Sequence, residues 1–367
     1  MCTRLDIDPD RAESFAEALL DTLNSGALAL MVSLGHRSGL FDTMASMTPA
    51  DSAAIAEAAG LNERYVREWL GAMVVGRVVV RDPEAATYHL PAEHAACLIR
   101  TAAADNMAVF AQYIGLLGTV EDAVLERFRH GGGVPYEAFG RFQEVMAEDS
   151  GQTVVPRILD TILPLAPGVV ERLEQGIDVL DIGCGRGRAL EVMARAYPAS
   201  RFRGIDLSSE AIGEAGCRAE QAGLDNLVLE VDDVAETLGE DAYDLVTAFD
   251  VIHDQRAPAR VLANVHRALK PDGVFLMQDI AGSRHPENNL DHPLAPLLYT
   301  ISTMHCMTVS LAQGGAGLGT MWGEETAEEM LAEAGFGDLA KHRLDHDIQN
   351  CYYVARSVVG RRASQAA

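Results

Sequence analysis

Three groups of acids surround one glycine-rich turn. In Val179-Leu180-Asp181-Ile182-Gly183-Cys184-Gly185-Arg186-Gly187 an apolar strand runs into alternating glycines and then a helix. Glycines there let the backbone approach a ligand closely and take positive φ. The turn alone is shared by dinucleotide and phosphate sites. The carboxylates narrow the choice. Asp181 ends the strand just before the glycines, where it can face an ammonium group. Asp206, in Gly204-Ile205-Asp206-Leu207-Ser208, ends the next strand and is placed to accept from two ribose hydroxyls. Asp232-Asp233 ends the third, opposite an adenine amino group, with Asp233 as the expected contact and Val234 beside it. Such a set, with no lysine or arginine committed to phosphate, suits a cationic nucleoside. NAD favours Gly-x-Gly-x-x-Gly, and the third glycine comes one residue early here.

A second group follows the fourth strand, in Ala248-Phe249-Asp250-Val251-Ile252-His253-Asp254-Gln255. In a doubly wound sheet, ligands sit outside the carboxyl ends of the strands. A histidine there, with an acid directly after it, is placed for proton transfer near neutral pH.

The elements around these residues alternate. Strands are expected at 177–182, 202–207, 227–231, 245–252 and 274–280, with helices at 187–197, 209–222 and 258–269. That spacing means βαβ units and a parallel sheet. The tail, 339–345 and 351–358, gives two further strands after a helix at 326–334. The front of the chain is helical. A long helix over 9–34, broken near Ser25-Gly26, carries Phe15, Leu19, Leu23, Ala27, Leu30 and Leu34 on one stripe. A helix opening at Thr48-Pro49 stops at Gly60, and another runs from its cap at Asn62 to Val75. Short strands at 77–81 and 87–90 flank an Asp82-Pro83 turn, and this order is that of a winged helix-turn-helix. Helical segments then run over 93–129 and on to 174, interrupted by the Gly131-Gly132-Gly133 loop.

S-adenosylmethionine is a cationic nucleoside of the required kind, with a sulfonium, an ammonium and no phosphate. The segment from about 177 to 280 resembles a class I S-adenosylmethionine-dependent methyltransferase. The Asp181-x-Gly183-x-Gly185-x-Gly187 pattern, Asp206 and the Leu269-Lys270-Pro271-Asp272-Gly273 turn carry the resemblance. It implies an α/β fold, a Rossmann-like sheet with an antiparallel terminal strand. It also implies cofactor contacts from Asp181, Gly183, Cys184, Gly185, Gly187, Asp206, Leu207, Asp232, Asp233, Val234, Phe249 and Asp250. Asp232 departs from the family, which often has glycine there. His253-Asp254 resembles the His-Asp motif of small-molecule O-methyltransferases, where the histidine is the general base. Gln255 stands where that family has an aromatic residue. The front domain resembles those of bacterial small-molecule methyltransferases, which implies a homodimer.

Three domains are expected: a winged-helix dimerisation domain at 1–100, a helical linker and cap at 101–175, and the methyltransferase domain at 176–360. An insertion at 281–322, helical over 294–311, reads as a substrate cap. His292, Tyr299, Met304 and His305 in it are candidate acceptor contacts. No metal site is expected, since His292 and His305 lack ligand spacing.

Composition bounds the partners. The 367 residues include 29 Lys and Arg against 54 Asp and Glu, a net charge of −25. So acidic a chain repels phosphate backbones and anionic lipid. Residues 37–100 carry six arginines against eight acids, whereas DNA readers carry a basic footprint. Neither nucleic acid nor membrane is expected as a partner. The longest apolar stretch near the start, 26–35, is short of the roughly 20 residues that span a bilayer. The six scattered cysteines, without a Cys-x-x-Cys pair, and an amino terminus without a secretory signal point to the cytoplasm. Other readings remain open: an NAD-type domain, an inactive methyltransferase-like domain, a nucleic-acid methyltransferase, or a cofactor-responsive winged-helix regulator.

Overall fold

A computed structural model describes residues 7–357. Cys2 and Val358, both used above, lie outside the described residues. The chain divides into two compact units, one through Gly118 and one from Thr119.

The first unit opens with α1 (Pro9–Arg37), capped by Asp8, whose carboxylate accepts from the Asp10 and Arg11 amides. The helix is not broken at Ser25-Gly26. One glycine costs a helix about 1 kcal/mol, and packing beyond it outweighs that. The Trp69 indole donates to the Met31 carbonyl at 2.8 Å, and Gly35 lies against the Trp69 and Phe41 rings so closely that no Cβ fits. The continuous helix is long and apolar enough to cross a bilayer, by length and composition alone, which the count of ten apolar residues missed. Its carboxyl half packs into its own unit instead, through Leu28, Met31 and Val32. The expected stripe is therefore not a core face along its whole length. Phe15 is 70% exposed, Leu23 64%, and Leu19, Leu30 and Leu34 are exposed as well.

Next come α2 (Leu40–Ala45), which the sequence reading missed, α3 (Ser52–Ala59) and α4 (Glu63–Val75). Thr48 is not the cap of α3. Asp51 takes that role, accepting from the Ala54 amide, while Ala50 pairs with Tyr88. Gly60 and Asn62 cap as expected. The wing is β1 (Val80–Asp82) with β2 (Thr87–His89). β1 starts three residues late because the Val78 and Val79 amides turn back to the Met73 carbonyl. Phe41, Ile55, Leu70 and Met73 fill the core of this unit, and α5 (Ala92–Ala95) and α6 (Ala111–Gly118) complete it.

The second unit begins with α7 (Glu121–His130), α8 (Phe142–Thr153), a run of short helical turns over 155–165 that is π-helical at Ile158–Ile162, and α9 (Val169–Gln175). Then follow β3 (Asp178–Ile182), α10 (Arg188–Ala196), β4 (Arg201–Asp206), α11 (Ser209–Gln221), β5 (Leu227–Val231), β6 (Tyr243–Phe249), α12 (Pro258–Ala268) and β7 (Leu269–Ile280). The insertion holds α13 (Ala295–Ile301) and α14 (Met307–Ala312), joined by a wide π-turn at Ser302–Cys306. The chain ends with α15 (Glu324–Ala334), β8 (Phe336–His342) and β9 (Asn350–Ser357).

The seven strands form one sheet, ordered β5-β4-β3-β6-β7-β9-β8. Neighbours from β5 to β7 run parallel, and β9 lies antiparallel between β7 and β8. The central strands are continuous apolar runs because helices cover both faces. Leu180, Ile182, Val246 and Ala248 pack toward α12 and α15, while Val179, Leu245, Val274 and Leu276 pack toward α10 and the turns before α9. β6 ends at Phe249 and not at 252, because Asp250 takes a positive φ of 56° and turns the chain out. β7 starts at Leu269 and not at 274. Lys270, which bonds Asp178 at 2.9 Å and Asp244 at 2.7 Å, ties that end of the strand to its neighbours.

Candidate active site

The glycine turn leaves β3 at its carboxyl end. Gly183, Gly185 and Gly187 all have positive φ, 61°, 52° and 65°. At Gly183 no side chain fits, since a Cβ would stand 2.6 Å from Val251. The Gly185 amide donates to Asp206 at 2.8 Å, and the Ser208 amide donates to the other oxygen of the same carboxylate. Burial pushes Asp206 above the usual carboxylate range, against these donors. Asp181 pairs along the sheet with Gly204 on one side and Thr247 on the other. It is buried, and among the described residues its side-chain partner is the Thr247 hydroxyl at 2.6 Å. Burial pushes it up to about 7, opposed by Thr247 and assisted by Asp206. Burial, with Asp181 and Asp206, raises the Cys184 thiol far above its usual range.

Beyond β5, Asp232 is exposed and accepts from the Asp233 amide. Asp233 accepts from the Ala235 amide and pairs with Arg256 at 2.7 Å. Val234 is buried beneath them, and Leu207 is exposed at the end of β4. Phe249 is half-buried.

His253 sits in the short turn Ile252–Asp254 after β6, and it is buried. Its partner is not the adjacent Asp254. It is Asp279, at the end of β7, whose Oδ1 lies 2.8 Å from the His253 Nδ1. The same oxygen accepts from the Trp322 indole at 3.0 Å and from the Ile280 amide. Burial opposes a charge on His253, but the Asp279 carboxylate overrides it, so the imidazole titrates well above its ordinary value. Asp254 is pushed up to about 6, chiefly by burial. Asp250, His253 and Asp279 each offer an atom within 4.8 Å of the others, close enough to share one cation.

The insertion delivers a second histidine through its π-turn. His305 is fully buried and its Nδ1 lies 3.5 Å from the Cys306 sulfur, which in turn interacts with His253. Burial, aided by His253, pushes His305 down to about 3, so it is neutral. It stacks on Phe142 with centroids 3.3 Å apart, and Phe139 and Tyr136 meet it edge-on. α8, which carries Phe142, also reaches the glycine turn: Gln143 lies 3.9 Å from where a Gly185 Cβ would stand. Tyr136, Phe139, Phe142 and Asp279 were not found from sequence. Met304 is half-buried in the same turn. His292 and Tyr299 gather elsewhere, around Asn289: Tyr299 accepts from the Asn289 amide group, and His292 lines a cleft of about 380 Å³ with Ser283 and Glu325.

The donor set fits a cation. Among the described residues, Asp250 Oδ1 and Asp279 Oδ2 are buried without a hydrogen-bond partner, and Asp181 is a buried acid with no basic partner. Residues 173–335 match the family model of the methyltransferase domain, and residues 26–100 match that of the Rv2258c-like winged HTH domain. The chain carries a methyltransferase domain behind a winged HTH domain. Solved methyltransferases similar in fold hold S-adenosylmethionine or S-adenosylhomocysteine. The ribosomal protein L11 methyltransferase of Dictyoglomus thermophilum is 34% identical over 113 residues, which is 30% of this chain and 35% of that protein. A ubiquinone biosynthesis O-methyltransferase of Actinobacillus pleuropneumoniae is 25% identical over 169 residues, 45% of this chain and 67% of that protein. The first three curated relatives thus align over between about a third and two thirds of their own length. The mitomycin 7-O-methyltransferase MmcR shares the fold across 95% of this chain and 100% of its own, with a TM-score of 0.70 at 18% identity. The sheet with its antiparallel terminal strand, behind a helical front unit, is that of the class I methyltransferase fold.

Proposed function

We propose that this methyltransferase alkylates an oxygen of a small, largely apolar acceptor, with His253 as general base. The His253–Asp279 pair beside the glycine turn carries the reading. When bound, S-adenosylmethionine supplies an electrophilic methyl group on a charged sulfur. Asp279 accepts from Nδ1 and leaves Nε2 as the atom that takes the acceptor's proton. Asp181 would meet the cofactor's ammonium, Asp206 the ribose, and Asp233 the adenine after exchanging Arg256 for it. The wall of Tyr136, Phe139, Phe142 and neutral His305 supports an apolar, planar acceptor.

The ligand test is thermal unfolding with S-adenosylmethionine, S-adenosylhomocysteine and NAD. A true ligand at 100 times its dissociation constant adds about 2.7 kcal/mol. Stabilisation by the first two and none by NAD is expected. No shift with either of the first two would remove the cofactor reading.

A second copy of the chain is the occupant that suits the exposed stripe of α1. Phe15, Leu19, Leu23 and Leu30 leave a row of large apolar side chains in water, as a homodimer would use. DNA suits this unit less well, because both arginines of α4 are paired along the helix, Arg64 with Glu68 and Arg67 with Glu63. Light scattering should give a dimer for the full chain and a monomer for a Phe15→Glu, Leu23→Glu variant with unchanged folding. A native monomer would count against this face. Five free cysteines among the described residues suit the reducing cytoplasm.

A further inference from the structure

The glycine-rich loop at 314–319 closes the insertion over the turn that carries His253. The Gly319 amide donates to the His253 carbonyl at 3.1 Å, and the Ala316 amide donates to the Arg256 carbonyl at 3.1 Å. Between them the Ser310 hydroxyl donates to the Gln255 carbonyl at 3.0 Å. A Cβ on Gly319 would stand 2.1 Å from the Ser302 hydroxyl oxygen, so a side chain there would push the loop away. Three residues on, the buried Trp322 donates its amide to the Gly319 carbonyl and its indole N–H to Asp279 Oδ1 at 3.0 Å. One segment therefore holds His253 in two ways, at its own backbone and through its carboxylate partner.

Asp279 Oδ1 accepts three times: from His253 Nδ1, from the Ile280 amide and from the Trp322 indole. Its twin Oδ2 is buried with no hydrogen-bond partner among the described residues. Both neutral donors thus converge on the oxygen that faces the base. A hydrogen bond to an ionised carboxylate is roughly twice as strong as one between neutral groups. The indole gains most when the imidazole is neutral and the carboxylate carries its charge alone. It gains less when a protonated His253 competes for the same oxygen. The indole therefore favours the state in which the base is free.

We propose that Trp322 is a positioning residue for the base: its indole N–H fixes Asp279 Oδ1 against His253 Nδ1 and, by sharing that oxygen, limits the carboxylate's hold on the imidazole proton. This rests on His253 as the base and adds to it a residue that sets the pH at which the base is free. The other groups facing His253 are Cys306 from the π-turn, with Asp250, Asp254 and His305, while Tyr353 of β9 faces Asp279. A change confined to the indole N–H leaves all of them in place.

Trp322→Phe keeps an aromatic ring in the core and removes the N–H. In an NMR titration of the full chain, the midpoint of the His253 ring should rise by about half a unit to one unit, which is about threefold to tenfold in proton affinity. The pH dependence of turnover should move the same way. A mere prop would act in the opposite direction, since a loosened carboxylate leaves burial to pull the midpoint down. A midpoint that falls or stays would overturn the proposal. The native protein offers a second reading that needs no variant. It has two tryptophans, and the indole of the other, Trp69, donates to the Met31 carbonyl. The Trp322 indole proton should shift with the same midpoint as the His253 ring, and that of Trp69 should not. A Trp322 resonance indifferent to the titration of His253 would also overturn the proposal. Both readings are made without an acceptor, so they are separate from the base assignment, which fails if His253→Ala turns over at the native rate.

Discussion

Asp181→Asn is expected to stabilise the ligand-free protein at pH 8 and to weaken its hold on S-adenosylmethionine. The native carboxyl is buried and titrates at about 7, against 3.8 for a free aspartate. Its raised value means that the folded state keeps a proton which the unfolded chain has lost. The stability this proton confers is full below about pH 4 and is lost as pH rises through 7. Over that window the loss is on the order of 4 kcal/mol, as three pH units of unequal proton affinity imply. An asparagine has no charge to bury and still accepts from Thr247. The variant should therefore melt near the native temperature at pH 4 and above it at pH 8. With the carboxylate gone, the cofactor's ammonium loses its partner, and affinity should drop about tenfold to a hundredfold, as for a hydrogen bond between charged groups. Melting curves at the two pH values and a calorimetric titration decide it. A variant less stable than native at pH 8 would show that Asp181 is held by something other than the cofactor's charge.

The second large effect is expected at Asp279. In Asp279→Asn the burial of His253 remains and the carboxylate that overrides it is gone. The imidazole should then titrate below 6.5, where the native one titrates well above it. An NMR titration of the His253 ring reads this shift without any acceptor. In turnover, the native base is free only as pH rises past its raised value, so activity should climb through the alkaline range. The variant should reach its plateau at lower pH and at a rate about a hundredfold to ten-thousandfold lower, the span of general-base catalysis. His253→Ala should lose a similar factor while cofactor affinity stays near native. A His253→Ala variant with native turnover would take the imidazole out of the mechanism.

The parts of the site that are close in sequence were legible. Asp181 and the three glycines lie within seven residues, and each strand end announces itself by an apolar run followed by an acid. Asp279 was hidden because its link to His253 depends on strand register. Phe249 pairs with Gln278 across β6 and β7, which brings the next residues of both strands together over a gap of 26 positions. Sequence proximity favoured Asp254 instead. The wall of Tyr136, Phe139 and Phe142 was equally hidden, since its approach to His305 is a tertiary contact between segments about 165 positions apart. Helix boundaries failed where packing overrode propensity, as at Gly26 in α1, or where a different side chain reached the amides first, as Asp51 did ahead of α3.

The π-turn at Ser302–Cys306 has a consequence for how such an enzyme could diverge. One residue more than an α-helical turn is accommodated there, and the helix on either side is regular. Loss of a single codon in this stretch would restore an unbroken helix. Every side chain after it would swing by about 100° around the axis. His305 and Cys306 would leave the wall that faces the acceptor, while the glycine turn and its acids, on other strands, would be untouched. On the proposed function, the choice of acceptor and the grip on the cofactor lie in separately mutable pieces, and a one-residue length change alters the first while leaving the second intact.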